Sequence, residues 1–175
     1  SQPSVVSSST QEAEIIFQSS ENFLALAARS NGSLAEYYRL QAFRQAILDE
    51  DYLLAVQLKE QINFSLLSEE DKLSSQLSEL QFHIDEGRTT EALAVLQAGA
   101  PMPSLLAEWN YRMGNLQIAL GNHVIAQDHY YQCTQSATNT HNYSTPCTNK
   151  LWQSLLDSGV AGSTNTLADL SLIHI

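Results

Sequence analysis

Residues 112–133 read Arg112-Met-Gly114-Asn-Leu-Gln-Ile-Ala-Leu-Gly121-Asn-His-Val-Ile-Ala126-Gln-Asp-His-Tyr130-Tyr-Gln-Cys133. Gly114 stands seven residues before Gly121, Ala126 follows five later, and Tyr130 four beyond that. Two helices separated by a glycine stop account for this pattern. A small residue at 114 lets the helices touch, and Gly121 ends the first because glycine enters left-handed backbone freely. Ala126 with Tyr130 packs the second helix back onto the first. One such pair cannot bury its own apolar face, so the flanking sequence is expected to supply more.

It does. Asp51…Ala55, Arg88…Ala92 and Asn122…Ala126 share a four-residue step from a turn to a small packing residue. From 51 to 88 and from 88 to 122 the intervals are 37 and 34 residues, close to the 34 of a tetratricopeptide (TPR) repeat. The fold expected is all-α, a TPR-like solenoid of helical hairpins over residues 11–158. Residues 1–10 form a flexible polar leader before it. Residues 159–175 form a C-terminal extension, with a short helix over 167–175.

Helix signals fill in the rest. Thr10 caps a first helix whose stripe is Ala13, Ile16, Phe17, Ser20, Leu24 and Ala27, and Asn31-Gly32 stops it. Ser33 and Glu36 have capping-box spacing for a second helix, with Leu40, Phe43, Ile47 and Leu48 inward. A third starts at Tyr52, with Ala55, Leu58 and Ile62 on its core face. Ser68 and its acidic neighbours open a fourth, with the stripe Leu73, Leu77, Leu80 and Ile84 ending at Gly87. Thr89 and Thr90 cap the next, with Ala92, Leu93, Val95 and Leu96 inward until Gly99-Ala100-Pro101. Ser104 opens the helix leading into the quoted stretch. Residues 134–148, rich in Thr, Asn and Ser, read as a loop, followed by a short helix with Leu151, Trp152, Leu155 and Leu156.

Nineteen acidic against eight basic residues give a net charge of −11, without a Lys/Arg cluster. Such a surface repels phosphate backbones and anionic lipid, which argues against nucleic-acid or direct headgroup binding. No apolar run approaches the roughly 18–20 residues that span a bilayer.

Catalytic signatures are missing. No G-x-S-x-G, H-E-x-x-H or G-x-G-x-x-G occurs, and Gly159-Val-Ala-Gly162-Ser163-Thr164 lacks the lysine of a phosphate loop. His83, His123 and His129 are isolated and read as structural or surface histidines, not as bases. The acidic clusters Asp49-Glu50-Asp51, Glu69-Glu70-Asp71 and Asp85-Glu86 near helix ends are explained by solvation, with the helix dipole adding support for those at helix starts. No catalytic, cofactor or metal residues are assigned: Cys133, Cys147, His129 and His141 lack the paired spacing of a zinc site.

Two kinds of residue remain of interest. Cys133 and Cys147 are a candidate disulfide, closing a loop of roughly 15 residues and contributing on the order of 3 kcal/mol. It is expected in an oxidising compartment; in a cytosol both stay reduced. Of the helical aromatics, one member of each adjacent pair points off the core face, which makes Tyr37 and Tyr131 candidate partner contacts.

The order of elements carries a resemblance. Phe23-Leu24-x-x-Ala27 is followed by Tyr38-x-x-x-Ala42-x-x-x-Ala46, an acidic turn, and Ala55-Val56-x-Leu58. Leu67-Ser68 with Leu73 and Leu77 comes next, and Lys150-Leu151-Trp152-x-x-Leu155 near the end. Over roughly residues 14–158 the chain resembles the N-terminal domain of the LpoA (LppC) family of bacterial outer-membrane lipoproteins. The resemblance implies a non-catalytic activator of a class A penicillin-binding protein in peptidoglycan synthesis. It also implies a periplasmic location, with an N-terminal lipid as the membrane attachment and the polar leader as tether. In that family a periplasmic-binding-protein-like domain follows and makes the main contact with the synthase. The alternative is a generic TPR adaptor or chaperone holding a peptide in its groove.

Overall fold

The computed structural model describes residues 19–136 and 143–159. Among them are eight α-helices and no strand: α1 Ser20–Ala28, α2 Gly32–Leu48, α3 Tyr52–Gln61, α4 Glu69–Asp85, α5 Thr89–Leu96, α6 Leu106–Ala119, α7 His123–Ser136 and α8 Ser144–Asp157. Short 3-10 turns at Phe64–Leu66 and Pro103–Leu105 precede α4 and α6. The protein is therefore all-α. Its described residues fall into two compact units that divide inside α4, between Ser75 and Gln76.

In the first unit, α1 packs on α2 and α2 on α3. Leu40, Ala42, Phe43, Ala46 and Ile47 of α2 are buried together with Ala55 and Leu58 of α3. Each large apolar side chain so buried contributes about 1.5–3 kcal/mol. Leu48, expected inside, is only half-buried. Ser19 has extended backbone (φ −124°, ψ 155°), and its side chain accepts the Asn22 N–H. One helix running from Thr10 through Ala27 is therefore broken at Ser19; Thr10 itself lies outside the described residues. The capping box expected at Ser33 does not form either. α2 begins one residue earlier, and Glu36 accepts the Asn63 N–H at 2.9 Å and pairs with Arg39.

In the second unit, α6 and α7 pack closely, α8 lies on α7, and α5 lies on α6. Gly114 carries the α6–α7 approach: a Cβ there would fall 2.4 Å from Cε1 of Tyr130. Tyr130, Ala126 and Leu116 are fully buried around it. Several sequence expectations fail in this unit. Val95 is 53% exposed, while its neighbours Ala92 and Leu96 are buried. Arg88, not Thr89 or Thr90, is the N-cap of α5, without a side-chain cap bond. Ser104 sits within a 3-10 turn, and α6 starts only at Leu106. A larger departure lies in residues 134–148, expected to be a loop. Residues 134–136 belong to α7 and 144–148 to α8. Pro146 fits because it is the third residue of α8, where a backbone N–H has no intrahelical partner to lose.

One turn recurs three times. Glu50, Gly87 and Gly121 take left-handed backbone, with φ of 60°, 78° and 81°. The residue after each reaches back five positions: Asp51 N–H to Ala46, Arg88 to His83 and Asn122 to Gln117, at 2.7–2.9 Å. This is a Schellman closure. The same three residues then accept the N–H of Ala55, Ala92 and Ala126 to start the next helix, and all three alanines are fully buried.

Candidate functional site

The most concentrated polar chemistry lies inside the second unit. Glu108 and Arg112 occupy successive turns of α6, each 1% exposed, with Arg112 Nη2 3.7 Å from Glu108 Oε1. Two buried charges are stable only when their remaining bonding capacity is filled. Ser78 of α4 donates to Glu108 at 2.7 Å, and the Tyr143 hydroxyl donates to the same oxygen at 3.0 Å. Arg112 donates to Gln81 Oε1 at 3.0 Å and to the Tyr143 hydroxyl at 3.3 Å. Its guanidinium also lies over the Tyr111 ring, 5.0 Å from the centroid.

Asn115, one turn further along α6, extends the network. Its amide donates to Gln81 at 2.8 Å, and its carbonyl oxygen accepts the Tyr130 hydroxyl at 2.7 Å. Burial raises the Tyr130 pKa, with the neighbouring Tyr111 adding to it, so this phenol remains a donor. Glu108, Arg112 and Asn115 thus tie α4, α7 and the entry to α8 around one face of α6. What this arrangement does chemically is fix register; its acceptors are engaged by protein donors.

The candidate residues from sequence fall in several places. Cys133 of α7 and Cys147 of α8 are brought together, both fully buried, with sulfurs 1.95 Å apart and Cα atoms 6.1 Å apart. Tyr37 belongs to the first unit and Tyr131 to the second; each is half-buried. The Tyr37 ring meets Tyr38 edge-on at 5.6 Å between centroids. Burial, then the charge of Asp71, raises the Tyr37 pKa, so its hydroxyl stays protonated. His129 is half-buried with Nδ1 3.0 Å from Asn110 Oδ1 and its ring edge-on to Trp109. Burial lowers its pKa, with Asp128 partly opposing. His141 lies outside the described residues. Among the described residues, no three His, Cys, Asp or Glu side chains are placed to hold a metal ion, and no helix is long and apolar enough to cross a membrane.

Sequence reasoning missed Glu108 and Arg112 as buried groups. At i,i+4 on a helix they read as a solvated surface pair. A signal was available: Glu108, Arg112 and Asn115 form a polar stripe at helical spacing directly beside Trp109 and Tyr111.

Comparison with models of protein families, with curated proteins and with solved structures finds no match to this chain.

Proposed function

We propose that this chain is a non-catalytic, TPR-like helical scaffold, the N-terminal domain of a periplasmic outer-membrane lipoprotein that activates a class A penicillin-binding protein. The observation that carries the scaffold reading is the recurring turn. A left-handed residue, a backward closure by the residue after it, and a fully buried alanine four beyond that closing residue appear at Glu50–Ala55, Gly87–Ala92 and Gly121–Ala126. Repeating one turn and one close contact is how a helical array builds a long surface from short units. The partner and the periplasm come from the resemblance in element order, ending at Lys150-Leu151-Trp152-x-x-Leu155. The Cys133–Cys147 pairing accords with an oxidising compartment.

The test is reconstitution. The full-length lipoprotein is incubated with a solubilised class A penicillin-binding protein and its lipid-linked precursor, and glycan polymerisation and cross-linking are followed. Binding with a raised rate of either reaction supports the proposal. No binding and unchanged rates reject activation. Capture of a peptide without effect on the synthase points instead to the adaptor reading. Tyr37→Ala and Tyr131→Ala in the same assay ask whether these half-exposed rings touch the partner, with the circular-dichroism melt as the control for folding.

A further inference from the structure

We infer that the Cys133–Cys147 disulfide is a redox latch: it keeps Tyr143 seated on the buried Glu108–Arg112 pair, and its reduction releases the N-terminal turn of α8.

Tyr143 is the N-cap residue of α8, and its carbonyl accepts the Cys147 N–H at 2.9 Å. That bond makes the first turn one rigid link from cysteine to tyrosine. The tyrosine hydroxyl at its far side donates to Glu108 and accepts from Arg112, and its ring lies 5.3 Å from that of Tyr111. α8 starts without a side-chain cap bond at Tyr143, so its first turn depends on what Tyr143 and Cys147 hold. The other end of α8 is attached separately. Gln127 of α7 donates to Ser154 and Ser158 at 3.1–3.4 Å, and Leu151 and Leu155 are buried. Cutting the disulfide therefore removes a constraint from one end of the helix only.

Both cysteines are fully buried, so a reductant reaches them only through an opening of the structure around them, which the latch places at this turn. A dithiol then attacks one sulfur as its thiolate and breaks the S–S bond; the departing cysteine leaves as thiolate and takes a proton. The second thiol of the reductant resolves the mixed disulfide. Two electrons and two protons end on Cys133 and Cys147, and the reductant becomes its own disulfide.

Two measurements on the whole chain test this, with dithiothreitol as the dithiol. Hydrogen exchange is compared between oxidised and reduced protein. Amides from Cys147 to Lys150 are expected to lose protection by roughly tenfold or more, as for opening of one turn, while α4, α5 and α6 keep theirs. Unchanged protection in α8 overturns the latch. Loss throughout the second unit also overturns it, since the bond is then a general staple. The reduction rate is the second readout. Tyr143→Phe removes one hydroxyl from a charged pair and is expected to speed reduction roughly tenfold. Trp109→Phe removes a bond to the Leu96 carbonyl (2.9 Å) away from α8 and is expected to leave the rate unchanged. Equal acceleration by both variants places reduction after global unfolding and refutes the proposal.

Discussion

A methyl group on Gly114 meets the Tyr130 ring at 2.4, 2.6 and 2.9 Å. The ring has nowhere to go, since Tyr130 is 1% exposed and its hydroxyl is bonded to Asn115. Gly114→Ala gains about 1 kcal/mol in helix propensity but overpacks the contact at about 1–3 kcal/mol. A lowered urea midpoint with unchanged slope is expected; a raised midpoint shows that the ring does not set the α6–α7 distance. Glu50 is the opposite case. It is the non-glycine among the three left-handed turn residues, so Glu50→Gly is expected to stabilise the protein by about 0.5–1 kcal/mol. A loss of stability in thermal melts contradicts that. His129 gives a pH dependence. Burial depresses its folded pKa below the 6.5 of the free side chain. The unfolded chain then binds more protons, so the associated stability is complete above that value and is lost as pH falls through it. His129→Gln is expected to flatten stability against pH between about pH 7 and pH 5. An unaltered slope assigns that pH dependence to other groups.

At the scale of the helix, caps separate the starts that side chains make from those that packing makes. Ser68 accepts the Asp71 N–H at 3.1 Å and donates to the Asp71 carboxylate at 2.8 Å. Ser68→Ala is expected to cost about 1 kcal/mol. Thr90→Ala is expected to be nearly neutral, because Arg88 caps α5 through its backbone alone. Equal losses in chemical denaturation mean that Thr90 caps after all. The contrast also explains what the sequence revealed. Glycine stops and apolar stripes made α3, α4 and α7 legible, since backbone freedom and burial leave a mark at each position. The reach of α7 and α8 into 134–148 was not legible. Ser, Thr and Asn favour turns locally, and the burial of Cys147, Thr148 and Leu151 against the rest of the unit overrides that preference. What completes the Glu108–Arg112 pair was hidden for a related reason. Its partners Ser78, Gln81 and Tyr143 are some 30 or more positions away in sequence, and nothing local announces them.

For the whole molecule, charge is the property that short-range packing does not decide. A net charge of −11 on 175 residues creates a field that reaches beyond contact distance, about 10 Å at 0.1 M salt and about 3 Å at 1 M. Such a field acts on encounter more than on the life of the complex, because rim charges steer approach while buried contacts set dissociation. A partner of the proposed kind is therefore expected to meet this chain through a basic face. Association with the solubilised synthase, followed by surface plasmon resonance, is expected to slow by about tenfold or more from low to high salt, with dissociation changing far less. A rate that is flat in salt excludes steering and leaves shape and apolar contact as the basis of recognition. A rate that rises with salt means the partner face is itself acidic. The acidic surface is then an obstacle that the complex must overcome by local contacts, with the half-exposed Tyr37 and Tyr131 the first residues to substitute.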